Sequence, residues 1–270
     1  MKPMKQYMLL LLAIFFGCVA CDDSDNEINI QPEATGSYTD VRDGNEYHWV
    51  RYAGLEWMTE NLRFIPDKGV FAPDLTPLPG GYYNDKKNAE YYKKFGGLYD
   101  YEAALAAVPE GWRLPTDDDW LNLEKALGMS ISDLKQSGER GNVQGELLQQ
   151  GVDGTGINLQ LSGYLIPDDR VMEVYSFESV YGFYWTATVD ESKPGGNTVY
   201  YRQIIYNSSK VVRNSMTKNN LLGIRCVRDA TSIEECAWRT GNPSSLVYLV
   251  VFLVFEVIDY EKCFDRNQDA

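Results

Sequence analysis

The chain has 270 residues, and 39 acidic side chains against 25 basic ones give it a formal net charge of -14. So acidic a chain repels phosphate backbones and anionic lipid head groups, which makes nucleic acid a poor partner. Aromatic residues are abundant, with 19 Tyr and 6 Trp, and they suit both a β-rich core and a surface that stacks on sugars or grips peptides.

Residues 1–20 are predicted to be a lipoprotein signal peptide. Two lysines precede an uncharged apolar stretch over residues 8–16, which is too short for a membrane span. Val19-Ala20-Cys21 resembles the cleavage box of bacterial lipoproteins, in which the Cys thiol is acylated before the peptidase cuts. Cys21 is therefore the predicted lipidation site. The alternatives are Cys18, in a less usual box, and an ordinary secretory signal with an incidental Cys.

Residues 21–36 are predicted to form an acidic, solvated tether, because Asp22-Asp23-Ser24-Asp25 offers no apolar surface to bury. An acidic stretch after the lipidated Cys resembles the surface-export signals of Bacteroidetes lipoproteins, and simple solubility is the alternative. The acyl chains would hold the protein in the membrane, since each buried methylene contributes roughly 0.8 kcal/mol. The predicted location is the outer membrane of the cell envelope, exposed at the surface, although the sequence leaves the membrane face open.

The domain predicted over residues 37–229 opens with short strands. Residues 38–41 and 46–51 flank Asp43-Gly44, a strong hairpin signal. Leu55–Met58 is the next predicted strand. The stretch 64–81, rich in Pro and Gly, is predicted to be a long irregular loop.

Two helices are predicted in the middle of the domain. The first covers Tyr101–Ala107 and ends before a proline. The second begins after Thr116, an N-cap residue, with Asp119 completing an acidic capping box and Gly128 placed to end the helix.

The three consecutive residues Asp117, Asp118 and Asp119 raise the question of a cation site. Adjacent side chains on a helix point in different directions, whereas three acidic residues in a first turn complement the helix dipole. We therefore predict capping rather than cation binding, and no metal or other cofactor for the domain.

The second half of the domain is predicted to consist of strands separated by turns. The strands cover residues 158–165, 183–189, 197–206, 211–213 and 221–227, with turns at 167–169 and 194–196. A pair of helices between two sets of short antiparallel strands indicates an α+β domain.

Five spaced motifs carry a resemblance to a known family. They are Glu56–Leu62, Gly97–Ala104, Pro109–Thr116, Tyr184–Thr188 and Gly223–Asp229. Taken in order, they resemble the Fibrobacter succinogenes major paralogous domain, found in exported proteins and lipoproteins of Bacteroidetes and Fibrobacteres. That family has no settled biochemical activity to carry over.

A more distant resemblance concerns the fold. Trp112-Arg113-Leu114-Pro115-Thr116 followed by Trp120 resembles the helix entry of the formylglycine-generating enzyme family, whose fold is a variant of the C-type lectin fold. This implies an irregular, C-type-lectin-like or sulfatase-modifying-factor-like domain whose termini meet in one sheet.

Enzymatic chemistry finds little support in the residues. Formylglycine-generating enzymes bind copper through two nearby cysteines, whereas Cys226 stands alone in an apolar pattern that predicts burial. His48 is the single histidine, and the chain lacks a Gly-x-Ser-x-Gly elbow, so we predict a hydrogen-bonded structural role for it. Pro167-Asp168-Asp169 is the stretch most similar to the calcium-binding triplet of C-type lectins, and we predict that it forms a turn instead.

The candidate ligand-binding residues are Tyr82, Tyr83, Tyr91 and Tyr92, four tyrosines in a polar, loop-rich region. Packing beneath the loop is the alternative for them. Most of the tryptophans, in contrast, are predicted to lie in the core, namely Trp57, Trp112, Trp120 and Trp185. The predicted function is non-catalytic binding of a glycan or an envelope protein. A metal-free envelope enzyme acting on glycans and a structural or assembly component are the alternatives.

Residues 230–270 form a C-terminal extension of different character. Its apolar run Leu246–Phe255 is too short to span a bilayer. A late addition to the domain, for instance through a shifted reading frame, is the preferred interpretation. A buried strand and a weakly membrane-associating tail are the alternatives, and a Cys236–Cys263 disulfide is compatible with the sequence.

Overall fold

The computed structural model describes residues 30–66, 70–71, 91–149, 154–165 and 179–230. The predicted signal peptide with Cys21, most of the tether, and the C-terminal extension with its two cysteines lie outside the described residues. So do Tyr82, Tyr83 and the predicted turn at 167–169. Within the described part, no helix has both the length and the apolar character needed to cross a membrane.

The first sheet joins the beginning and the end of the described domain. Its strand order is β1-β2-β3-β10, and all of its pairs are antiparallel. The strands are β1 (Thr35–Thr39), β2 (Glu46–Tyr52), β3 (Leu55–Met58) and β10 (Val227–Asp229). The predicted hairpin between the first two strands is confirmed, and the resemblance correctly implied that the two ends of the domain share a sheet.

The second sheet has the order β6-β9-β8-β7 and is also antiparallel throughout. Its strands are β6 (Gly138–Arg140), β7 (Tyr181–Val189), β8 (Thr198–Ile205) and β9 (Val211–Thr217). A small third pair joins β4 (Val70–Phe71) to β5 (Leu98–Tyr99). A 3-10 turn at Pro194–Gly196 connects β7 to β8, where Gly195 has a φ of 86°.

The helices lie between these strands along the chain. They are α1 (Tyr101–Ala107), α2 (Asp117–Ala126), α3 (Ile131–Leu134) and α4 (Gln144–Leu148), and residues 91–95 are also helical. The predicted capping box of α2 is present, with the Asp119 N–H 3.1 Å from the Thr116 hydroxyl and the Thr116 N–H 2.7 Å from an Asp119 carboxylate oxygen. The mixture of helices and antiparallel sheets confirms the α+β class.

Helix α2 packs against both sheets and forms one half of the core. Its Trp120, Leu123 and Leu127 are fully buried, as their shared helix face predicts. The rings of Trp120 and Trp57 lie 4.8 Å apart in an edge-to-face arrangement that joins α2 to β3. All four tryptophans predicted to lie in the core are buried.

Two predicted strands are irregular. Residues 158–165 make isolated bridges instead of a ladder, since Asn158 and Gly163 adopt positive φ angles of 54° and 70° that interrupt an extended strand. The segment 221–227 likewise pairs through single bridges at residues 221–223, and regular strand begins at Val227. The prediction was therefore wrong about regularity in both places.

Candidate ligand-binding groove

A groove opens beside the turn between β8 and β9 and is named here the Tyr206 groove. Its volume is about 660 Å³. Apolar residues and polar residues both line it, which is the mixture that ligand sites use for affinity and orientation. The lining residues are Lys94, Phe95, Glu146, Gln149, Leu159, Leu161, Ser179, Tyr206, Asn207, Ser208 and Ser209.

Tyr206 presents an aromatic ring to solvent. It is 59% exposed, although large aromatic side chains elsewhere in the described chain are mostly buried. Its backbone N–H donates to the Val180 carbonyl at 2.8 Å, and the next residue, Asn207, has a φ of 55°. Asn tolerates this left-handed conformation better than most residues, so the turn holds Tyr206 in a defined position.

Helix α4 supports the turn from one side. The Gly145 N–H donates to the Ser209 carbonyl at 2.8 Å, and a Cβ at position 145 would run into the Lys210 carbonyl oxygen. Glycine is therefore required for this close approach of helix and turn.

Gln149 ties the same turn to the end of α4. Its side-chain amide donates to the carbonyls of Ile205 and Ser208, at 3.2 Å each, and to the Gly145 carbonyl at 3.0 Å. Buried or half-buried polar contacts of this kind fix the backbone of a loop. The turn beside Tyr206 is thus held by hydrogen bonds from within the domain.

The remaining lining supplies apolar contact and charge. Phe95 and Leu159 are buried, and Leu161 is half-buried. Lys94 and Glu146 are exposed and carry opposite charges. The groove can therefore take a ligand that has one apolar face and several hydroxyl or amide groups.

The predicted tyrosines have a different relation to the groove. Tyr91 is 5% exposed, its ring lies 4.9 Å from that of Phe95, and its hydroxyl donates to the Ser162 carbonyl. The expectation that Tyr91 is exposed is wrong, because the helical turn at 91–95 directs it into the interior. Tyr92 is half-buried, and its hydroxyl donates to the Arg63 carbonyl. Tyr91 is thus a buried neighbour of Phe95, which lines the groove, and does not line the groove itself.

The three aspartates at the start of α2 have separate partners. Asp119 caps the helix and pairs with Arg113 at 2.5 Å, while Asp118 is exposed. Burial would raise the pKa of Asp117, but hydrogen bonds and charge from Arg213 and Arg202 outweigh it and lower that pKa. Across the residues that the structure describes, no three Asp, Glu, His or Cys side chains converge as metal ligands would.

His48 and Cys226 lie where the sequence predicted. Nδ1 of His48 is 2.9 Å from Glu60 Oε1, which confirms a hydrogen-bonded histidine. Cys226 is fully buried, and burial raises the pKa of its thiol to about 12, so the thiolate is disfavoured.

Sequence reasoning missed Tyr206, which it placed at the end of a predicted strand. The signal was present in the following Asn207-Ser208-Ser209, three residues of types that favour turns. A large aromatic residue directly before such a turn is a candidate for exposure. The supporting contacts from α4 come from positions about 60 residues earlier and had no local signal.

Together, these features define an α+β domain with a preformed groove on one end of its second sheet. The family model of the Fibrobacter succinogenes major domain matches residues 50–228, about two thirds of the chain. The chain belongs to this family, as its five motifs predicted. No curated protein and no solved structure matches the chain.

Proposed function

We propose that the domain binds a ligand, a glycan or an envelope protein, in the Tyr206 groove. The observation that carries the proposal is a 59% exposed tyrosine on a turn held by Gly145 and Gln149. Binding to a preformed site avoids the cost of ordering a loop, so a single aromatic residue contributes strongly there.

A glycan fits the chemistry of the groove best. The flat ring of Tyr206 matches the apolar face of a sugar ring, and it has a hydroxyl to hydrogen-bond. Asn207, Ser208 and Ser209 add amide and hydroxyl groups beside it, and Lys94 and Glu146 suit acetamido or carboxylate substituents. The groove is proposed to act in binding and not in catalysis.

The proposed setting is the cell envelope, with the domain tethered to the outer membrane through lipidated Cys21. The basis is the sequence of residues 1–36, with its apolar stretch, cleavage box and acidic tether. A surface-exposed position would bring the groove into contact with extracellular glycans.

The proposed fold relationship is a C-type-lectin-like architecture. Its support is the first sheet, in which β10 at the end of the domain pairs with β3 near its start. The irregular segments 158–165 and 221–226 between regular strands agree with this proposal.

The test is a glycan array probed with the full-length protein, with and without calcium. Saturable binding that Tyr206→Ala weakens roughly 10-fold or more and Ile131→Ala preserves is the expected result, since Ile131 is a similarly exposed apolar residue, at 65%, and does not line the groove. Binding of full strength in Tyr206→Ala would refute the groove. Calcium dependence would reveal a metal site that the proposal omits.

The proposed envelope location is tested separately by following the lipid labelling and membrane partitioning of Cys21→Ser in a bacterial host. Loss of lipid labelling and of membrane partitioning is expected, while Cys18→Ser behaves as the natural chain does. Unchanged partitioning of Cys21→Ser would contradict lipid anchoring at this residue.

A further inference from the structure

The outer face of the first sheet brings together a serine, a histidine and a glutamate. Ser37 in β1 is the cross-strand partner of His48 in β2, and both residues are exposed. Glu60, two residues beyond the end of β3, reaches His48 from the opposite side of β2. The three residues also line one open depression of about 580 Å³.

The backbone contacts of His48 fix how close Ser37 lies. The His48 N–H donates to Glu60 Oε2 at 2.8 Å, and its carbonyl accepts from the Thr59 N–H at 2.9 Å. Both backbone groups of His48 thus face away from β1, so Ser37 and His48 form a non-hydrogen-bonded antiparallel pair. Such pairs bring Cα atoms to about 4.5 Å, closer than hydrogen-bonded pairs. The two side chains are therefore immediate neighbours on one face.

Glu60 sets the orientation and the tautomer of the imidazole. Its Oε1 lies 2.9 Å from His48 Nδ1, and its Oε2 accepts from the Thr59 hydroxyl at 3.0 Å. A carboxylate only accepts hydrogen bonds, so Nδ1 donates to Glu60, and Nε2 of the neutral imidazole carries the lone pair. His48 is 64% exposed, and its Nε2 is open to a hydroxyl on the adjacent strand.

We propose that Ser37, His48 and Glu60 form an acyl-transfer centre that hydrolyses small neutral carboxylic esters. Esters are favoured over amides because an alkoxide leaves more readily than an amide nitrogen. Neutral acyl groups are favoured because Glu46 and Glu60 line the depression and repel anions. This centre is independent of the Tyr206 groove. Ser37 and His48 precede the family match at residues 50–228, and Glu60 lies within it.

The reaction balances without a cofactor. Ser37 Oγ forms a bond to the acyl carbon while its proton passes to His48 Nε2. The bond from the acyl carbon to the alcohol oxygen then breaks, and His48 returns the proton to the departing alkoxide. Water attacks the acyl-serine, His48 takes a proton from that water, and the carboxylic acid leaves as the proton returns to Ser37 Oγ. Glu60 acts as a positioning residue throughout.

The test uses the full-length protein with p-nitrophenyl acetate and a fluorophosphonate probe. Covalent labelling of Ser37, located by peptide mass spectrometry, is expected in the natural chain. Ser37→Ala and His48→Gln should each lower kcat/KM on the order of 10²-fold. Glu60→Gln should lower kcat and leave KM unchanged. Ser132→Ala, which alters an exposed serine outside the depression, should change nothing.

Two results would overturn the proposal. One is the absence of fluorophosphonate label at Ser37 in the folded natural chain, a measurement that needs no variant. The other is a full rate in Ser37→Ala, since that rate would come from the imidazole alone. Ser37 is exposed, so circular dichroism of the variants should match that of the natural chain.

Discussion

Charged and aromatic residues of this domain lie in two contrasting settings, a buried cluster of ion pairs and the solvent-exposed surface around His48 and Tyr206. In the cluster, Arg202 and Glu124 are fully buried and pair at 2.8 Å, and Arg202 also reaches Asp117 at 2.7 Å. On the exposed faces, His48 and Tyr206 are largely open to solvent. Polar side chains in the cluster are thus used up by partners within the domain, whereas those of His48 and Tyr206 are accessible from solvent.

The buried cluster connects elements that are far apart in the chain. Arg140 of β6 pairs with Glu124 of α2 at 2.8 Å, and Arg213 of β9 pairs with Asp117 at 2.6 Å. Each such charge is costly to desolvate, so its partners must all be in place. The cluster thus specifies how α2 lies on the second sheet.

Arg225 fills a comparable role near the first sheet. It is fully buried and donates to the Met58 carbonyl at 2.9 Å and to the Asn61 side-chain oxygen at 2.8 Å. The Asn61 amide in turn donates to the Phe95 carbonyl at 2.8 Å. Phe95, which lines the Tyr206 groove, is therefore linked to the core through these polar contacts.

Arg202→Ala should have the largest effect on stability. It removes one of the two arginine partners of Glu124 and of Asp117, and breaking a buried pair costs about 3–5 kcal/mol. Urea unfolding measures the loss. Lys218→Ala is the matched control, because Lys218 pairs at 3.9 Å with an exposed glutamate and should cost less than about 1 kcal/mol. Equal losses of unfolding free energy in the two variants would show that the buried ion pairs stabilise the domain no more than an exposed one.

Gly145→Ala should affect both stability and the groove. The added methyl group must push α4 away from the Lys210 carbonyl, and overpacking of this kind costs about 1–3 kcal/mol. Ligand binding should weaken as the turn under Tyr206 moves. Gly44→Ala, whose added Cβ meets open space at a φ of +74°, introduces backbone strain away from α4 and should leave ligand binding unchanged. Undisturbed binding by Gly145→Ala would show that α4 does not position the turn.

Thr116→Ala should destabilise the protein by about 1 kcal/mol, because it removes the hydrogen bond to the Asp119 N–H and half of the capping box. The comparison is Ser130→Ala, which removes the cap of the exposed four-residue helix α3 and should cost less. Thermal unfolding resolves the difference. A larger loss for Ser130→Ala would contradict the assignment of α2 to the core.

Asp190 should make the smallest contribution to stability, and its loss should appear only at acidic pH. Hydrogen bonds from the Ser192 and Ser215 hydroxyls lower its pKa from 3.8 to about 2. The stability from this carboxylate is present above pH 3.8 and disappears as the pH falls through 2, because the unfolded chain takes up the proton first. Asp190→Asn should reduce the loss of unfolding free energy between pH 4 and pH 2 by about 1 kcal/mol or less. If the natural chain and Asp190→Asn lost the same unfolding free energy over this pH range, this role of Asp190 would be wrong.

Local signals account for the parts of the fold that the sequence predicts well. The Asp43-Gly44 turn, the bounds of α1 and the capping box of α2 each depend on residues within a few positions of one another. The spacing of Trp120, Leu123 and Leu127 likewise identifies the buried face of α2.

The features that the sequence did not predict depend on contacts between residues far apart in the chain. Asp117 and Arg202 are 85 residues apart in the chain, so no local pattern pairs them. The Tyr206 groove combines residues from the helical turn 91–95, α4 and the turn after β8, which the sequence does not bring together. Tyr91 was misplaced for the same reason, because its burial depends on Ser162 and on the packing around Phe95.

The most direct test of the account separates binding from stability at one residue. Thermal unfolding and calorimetric titration with a glycan identified on the array would be measured for the natural chain, Tyr206→Phe and Tyr206→Ala. We expect unchanged unfolding temperatures, affinity nearly retained by the phenylalanine variant, and affinity lowered roughly 10-fold or more by the alanine variant. If Tyr206→Ala unfolded at a much lower temperature while keeping its affinity, Tyr206 would be a structural residue and the exposed groove would not be the binding site.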